Sequence, residues 1–150
     1  MIYIGIDPAV AKQTAVAVVT PDNTHLLLVD TFKAGDLLYR LDCLGLSDLP
    51  ICLTIEAQEI YRGSAARTRT ILELANRSGF FEGLLVGLLP NIVEIRRPVP
   101  KEWKGQVSAD MYRKRTLKKH AIVADITSGM TRLEQEDLAH AYGLAIWKKL

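Results

Sequence analysis

Four side chains of the kinds that bind divalent cations or move protons stand at informative places in this chain: Asp7, Glu56, Asp137 and His140. Asp7 closes the apolar run Ile2-Tyr3-Ile4-Gly5-Ile6 and is followed by Pro8. Glu56 closes a second such run, Ile51-Cys52-Leu53-Thr54-Ile55. An unpaired carboxylate taken out of water costs several kcal/mol, so it is normally neutralised by a partner or a cation. An Asp before Pro also suits a turn, so Asp7 alone reads equally as a turn cap or a ligand. Glu56 alone reads equally as a solvated strand end.

The elements that would position these groups follow from periodicity. Residues 1–7, 14–20 and 25–32 read as three strands, the last two joined by the turn signal Pro21-Asp22-Asn23, which gives an antiparallel meander. Leu37, Leu38, Leu41 and Leu44 give residues 35–44 a helical period. Residues 50–56 alternate as a fourth strand, which a helical crossover makes parallel to a neighbour. Residues 63–76, opened by Ser64 as N-cap, and residues 80–89 read as one long helix or two stacked ones. Gly79, Gly83 and Gly87 in that stretch would allow close helix packing. A fifth strand follows at 91–95. Pro98 and Pro100 break structure, so Lys101, Trp103 and Lys104 fall on a loop; residues 108–120 form a basic helix, 125–131 a loop and 134–148 the last helix. The order predicts a single α/β domain with a mixed five-stranded sheet, three strands antiparallel and then two parallel, flanked by helices.

In that topology the first and fourth strands are parallel neighbours, and Asp7 and Glu56 share one sheet edge. Each like charge raises the other's pKa unless a cation is bound. Asp137 and His140 are three residues apart on one face of the last helix, beside a core stripe of Leu138, Ala141 and Ala145. An acidic residue near a helix N-terminus also favours the helix dipole, and a helical His often serves packing alone; the combination is what points to a site. Oxygen-rich ligands suit Mg²⁺ or Mn²⁺. Two such ions, roughly 4 Å apart, would clamp a phosphate. His140 would bind a metal or act as a general base.

These residues resemble the RuvC family of Holliday-junction resolvases, in the ribonuclease H-like superfamily. The resemblance rests on Gly5-Ile6-Asp7-Pro8, Ile55-Glu56 and Asp137-Leu138-Ala139-His140-Ala141, and spans nearly the whole chain in element order. The short length and the segment Glu56-Ala57-Gln58-Glu59-Ile60-Tyr61-Arg62-Gly63 look most like phage-type members. The resemblance implies a homodimer that binds four-way DNA junctions and makes two symmetric nicks with Mg²⁺, with Mn²⁺ expected to substitute. It implies Asp7, Glu56 and Asp137 as metal ligands. The family's final motif usually reads Asp-x-x-Asp; His140 takes the second acidic place here, with Glu134 or Glu136 as substitutes. Ala9 replaces a common glycine.

Charge distribution supports a nucleic-acid partner. Residues 94–120 carry nine Lys or Arg against three acids, while the net charge of the 150-residue chain is only +2. Lys and Arg neutralise phosphates, so Lys101, Lys104, Arg113, Lys114, Arg115 and Lys118 are the expected contacts, unless the run is merely a solvated face. Lys104 is the one that would reach a scissile phosphate. Tyr61 and Arg62 would stand at the mouth of the site, where the resembled family stacks an aromatic on an opened junction base; packing at the next helix is the equal alternative for Tyr61. Arg67 and Arg69 would bind phosphate or meet a second copy, and the apolar stretch 80–89 is either dimer surface or core.

Cys43 and Cys52 have no metal spacing and are expected as reduced, buried or half-buried thiols. With no signal-peptide pattern and no apolar run near the roughly 20 residues that cross a bilayer, the expected location is the cytoplasm, that of the host if the chain is phage-encoded. A flap or fork nuclease of the same fold and a junction-binding module that does not cut are the competing readings. A nucleotide-binding protein of the actin and sugar-kinase type also starts with a strand, an Asp and a hairpin, but needs a second lobe.

Overall fold

The structure, a computed structural model, describes residues 1–9, 13–30, 34–45, 49–58 and 65–147. Strands β1 (Ile2–Asp7), β2 (Gln13–Val19) and β3 (Thr24–Asp30) form the meander, with Thr20 N–H donating to Asn23 O at 2.9 Å in the hairpin turn. Helix α1 (Ala34–Cys43) leads to β4 (Ile51–Ile55), and α2 (Ala65–Leu88) leads to β5 (Ile92–Arg96). The sheet order is β3-β2-β1-β4-β5, with β1 antiparallel to β2 and parallel to β4, as expected. Four helices complete the chain: α3 (Pro100–Trp103), α4 (Ala109–Lys119), α5 (Ala121–Ile126) and α6 (Arg132–Ile146). No described helix is long and apolar enough to cross a membrane.

The sheet separates two apolar layers because successive side chains of a strand alternate faces. Ile2, Ile4 and Ile6 enter one layer with Leu37 and Leu41 of α1 and Phe81 and Leu85 of α2. On the other face, Ala15, Ala17 and Val19 meet Val123 of α5 and Leu138, Ala141 and Ala145 of α6. Gly5 lies on that second face, two residues before Asp7. A Cβ there would stand 2.1 Å from Ala141 O and 2.3 Å from Ala145 N, so only glycine lets α6 lie this close to β1.

Several expectations change. Residues 98–104 are not all loop: Pro100 opens the one-turn helix α3, where its missing N–H costs nothing. Glu102 fixes that turn by accepting from Val99 N–H at 2.9 Å. Residues 125 and 126 end helix α5 rather than lying in a loop. That helix is six residues long, has no side-chain N-cap and is anchored by buried Val123, so it left no capping signal to read. The last helix starts two residues earlier than expected, at Arg132, with Thr131 as N-cap. The stretch from 65 to 88 is one continuous helix, and a Cβ on Gly79, Gly83 or Gly87 would meet nothing, so these glycines serve no close packing within the described chain. Ser64 lies outside the described residues. Both cysteines are free; Cys52 is buried, but Cys43 is exposed because it sits off the Leu37/Leu41 stripe of α1.

Gly5→Ala therefore forces α6 away from the sheet, and overpacking of this kind costs about 1–3 kcal/mol or more. Gly83→Ala, in open space, should leave monomer stability unchanged or raise it by about 1 kcal/mol through helix propensity. Urea unfolding of the two variants checks the contrast.

Candidate active site

The parallel pairing of β1 with β4 runs in register from Ile2↔Ile51 to Ile6↔Ile55. The next residue of each strand is Asp7 and Glu56, so the two carboxylates leave the sheet side by side on the face that α6 covers. The backbone at Glu56 is held from three sides. Its N–H donates to Ile6 O at 3.2 Å, Ser78 of α2 donates its hydroxyl to Glu56 O at 3.3 Å, and the next N–H, of Ala57, donates to Pro98 O at 2.9 Å.

Helix α6 supplies the rest. Thr131 and Glu134 close a capping box at its start. One turn later Asp137 is half-buried and His140 is buried. His140 Nδ1 lies 3.2 Å from Asp7 Oδ2, a contact across 133 residues of sequence. The arrangement brings Asp7, Glu56, Asp137 and His140 into one electrostatic neighbourhood. Burial, and then the charge of Asp7, push the Glu56 carboxyl up to about 7, against a smaller opposing effect of Lys104 and His140. Burial, and again Asp7, push Asp137 up to about 6. Both shifts come first from burial and second from the neighbouring charge of Asp7.

The fit of this set to a divalent cation rests on its donor atoms. Glu56 Oε2 and His140 Nε2 are buried with no hydrogen-bond partner among the described residues. Unsatisfied acceptors of this kind are costly without a ligand. Three carboxylates and one imidazole match the hard, oxygen-preferring cations better than thiophilic ones. Among the described residues no three such side chains already converge around one point, so the set is open rather than a preformed cage.

Glu134 and Glu136 are committed elsewhere. Glu134 accepts from Thr131 N–H and hydroxyl at 2.9 and 2.7 Å, and Glu136 pairs with Arg132 at 2.9 Å. Both are engaged near the start of α6, and their charges also reach Asp137.

The basic residues divide into two groups. Arg113 donates to Gln135 at 2.8 Å and Asp110 at 2.9 Å, and Lys114 pairs with Asp110 at 2.7 Å, so these two tie α4 to itself and to α6. Arg115, Lys118 and Lys101 are exposed. Lys104 is half-buried, lies 5.2 Å from the Trp103 ring centroid and reaches Glu56 with its field. Arg69, which pairs with Glu73 at 3.0 Å, is a solvated helix pair. Tyr61 and Arg62 lie outside the described residues, and so does the Arg67 side chain. Sequence reading missed the aromatic lining: Trp103 of α3 and Tyr112 of α4 both pack on the His140 ring. No periodicity reports a contact between three separate helices.

The five-stranded mixed sheet, its strand order and the helix across β1 define a ribonuclease H-like fold. Solved structures with this fold include T. thermophilus RuvC, in complex with Holliday junction substrate, at 19% identity and a TM-score of 0.50 over 97% of this chain and 90% of that one. The yeast mitochondrial Holliday junction resolvase Ydc2 is similar at 14% identity and a TM-score of 0.55, over 95% of this chain and 75% of its own. No protein-family model and no curated protein matches the sequence.

The raised carboxyls have a consequence for the metal-free protein. A group whose folded pKa is raised holds its proton longer when folded, so stability is lost as pH climbs from its ordinary value to the raised one. For Glu56 that window runs from 4.5 to about 7. Glu56→Gln should therefore raise the melting temperature at pH 8 and by much less near pH 4.5, and added Mg²⁺ or Mn²⁺ should reverse the wild-type loss. Thermal melts across pH, with and without the cation, test it.

Proposed function

We propose that this protein is a metal-dependent endonuclease that resolves four-way DNA junctions by paired, symmetric nicks. The observation that carries the reading is the buried neighbourhood that Asp7, Glu56, Asp137 and His140 share at the edge of β1 and β4 beneath α6, with His140 in contact with Asp7 and both other carboxyls raised by Asp7. One structural neighbour, RuvC, is in complex with Holliday junction substrate and the other, Ydc2, is a Holliday junction resolvase, which supports the choice of substrate.

Asp7, Glu56, Asp137 and His140 would hold Mg²⁺, with Mn²⁺ able to replace it. The cation supplies Lewis-acid activation of water and neutralises charge on the phosphate. The chain's own residues do the rest. Asp7 accepts from the His140 Nδ1–H, which fixes the tautomer and leaves Nε2 as an acceptor, for the cation or for the proton of the attacking water. Lys104 stands beside Glu56, where its ammonium offsets the carboxylate charge and can meet a phosphate oxygen. Lys101, Arg115 and Lys118 extend the cationic surface along α3 and α4 for the junction arms. Arg113 and Lys114, engaged with Asp110, act first on the stability of α4.

Paired nicks require two sites, and α2 offers the surface for a homodimer. Its outward side carries exposed Leu72, Phe80, Val86 and Leu88 beside the open Gly79, Gly83 and Gly87. Gly79 and Gly87 lie four residues either side of Gly83, and Phe80 and Val86 three either side. A two-fold axis at Gly83 thus sets each large side chain of one copy against the other's, across a backbone that can come close.

Two experiments test the proposal. On four-way junctions, flaps and linear duplex tested side by side with Mg²⁺, wild type should place symmetric nicks in junctions, while Asp7→Asn should bind junctions and leave them uncut. Unaltered cleavage by Asp7→Asn sinks the mechanism; flap cutting alone makes it a flap nuclease; binding without any wild-type nicking makes it a junction-binding module. In sedimentation, wild type should be a dimer and Val86→Glu a folded monomer whose nicks are no longer paired. A monomeric wild type refutes the dimer.

A further inference from the structure

His140 sits in a corner made by two other rings. Its centroid is 5.4 Å from Trp103 and 5.6 Å from Tyr112, at interplanar angles of 81° and 63°. Trp103 and Tyr112 also meet each other edge to face, at 5.0 Å and 81°. The three rings come from α3, α4 and α6, so the corner exists only when all three helices are docked.

Helix α6 carries a notch for this corner. A Cβ on Gly143 would stand 2.0 Å from the Tyr112 hydroxyl oxygen and 3.0 Å from Trp103 Cζ3. Gly143 is one turn beyond His140. Its missing side chain is the space into which both rings lean. Trp103 Nε1 is buried in this corner with no acceptor among the described residues, so it is the ring's packing on its neighbours that places Trp103 here.

The hydrogen bond to Asp7 decides which nitrogen faces the carboxylate, but it cannot hold the ring's plane. A single such bond leaves rotation about it free, and χ2 of histidine is a broad torsion. Two edge-to-face neighbours on the ring remove the remaining swing.

We propose that Trp103 and Tyr112 are positioning residues that clamp the His140 ring so that Nδ1 stays on Asp7 and Nε2 keeps one fixed direction, with Gly143 as the notch that admits them. The clamp also joins the site to the DNA face. Trp103 ends the α3 turn that carries Lys101, and Lys104 lies on its ring. The catalytic consequence rests on the junction-nuclease reading; the geometry of the clamp does not.

The experiment therefore has two arms. In the first, NMR of the metal-free protein follows the imidazole protons; the chain has three histidines, and His140→Gln assigns the signal. Wild-type His140 should show ring-current shifts from both neighbours. Trp103→Leu and Tyr112→Leu should each abolish part of that shift and broaden the signal, Gly143→Ala should do the same by expelling Tyr112, and Trp103→Phe should keep it. In the second arm, single-turnover cleavage of prebound junctions should fall by about 100-fold in Tyr112→Leu, the cost of a misplaced catalytic group, with junction affinity unchanged; Trp103→Phe should recover most of the rate that Trp103→Leu loses. Wild-type His140 signals in both Leu variants would overturn the clamp. Should a Leu variant fail to fold, the Phe variant decides: loss of the shift with a folded core counts against the proposal. A wild type that never cuts defeats the nuclease reading, and the NMR arm still decides the clamp.

Discussion

The contact on which the site depends is the one between α6 and β1 at Gly5. A helix is ordinarily held off a sheet by the side chains on both surfaces. Here the helix backbone at Ala141 and Ala145 comes down onto a strand position with no side chain. That approach is why a residue two positions along the strand, Asp7, touches a residue one short step back along the helix, His140. A bulkier residue at position 5 would lift the helix and separate the pair, whatever the identity of the charged groups. The small residues Ala141, Ala145 and Gly5 thus carry the geometry of the site although none has any chemistry of its own.

The same closeness creates an electrostatic difficulty. Asp7 raises both Glu56 and Asp137, and burial raises them further. The backbone keeps its place nonetheless: the Glu56 N–H bonds Ile6, its carbonyl accepts from Ser78, and the next N–H bonds Pro98. A site that retains repulsive groups has stability held back, which any ligand of opposite charge would return on binding. Strain of this sort is expected where function rather than stability has set the residues.

Much of this was legible from the residues in order. Asp7 and Glu56 each end an apolar run, and the crossover rule made those runs parallel neighbours, so their meeting required no side-chain detail. Asp137 and His140 share a helical face by spacing alone. The layers followed from alternation and from the Leu37/Leu41 period. What stayed hidden depends on contacts between elements. Pro100 read as a breaker, although the first turn of a helix is where proline fits best. Helix α5 is too short for a period to show. Gly143 looked like any helical glycine, and Trp103 and Tyr112 like a loop tryptophan and a basic-helix tyrosine, because only tertiary packing brings them to His140. Arg113 and Lys114 read as phosphate ligands, since a count of charges does not reveal that Asp110 engages both.

His140 is where the chain departs from the pattern it resembles, and the surroundings give a physical reason for the exchange. A fourth carboxylate in this place would add repulsion to Glu56 and Asp137, whereas an imidazole lowers both when it is protonated. In its neutral form it can do what a carboxylate cannot: donate through one ring nitrogen while accepting through the other. An imidazole, however, is a flat group with one useful direction, whereas a carboxylate offers two equivalent oxygens and tolerates rotation. Replacing acid by histidine therefore trades charge for a demand on orientation. The rings of Trp103 and Tyr112, and the notch at Gly143 that receives them, meet that demand, so the departure at His140 and the aromatic corner around it are two parts of one solution.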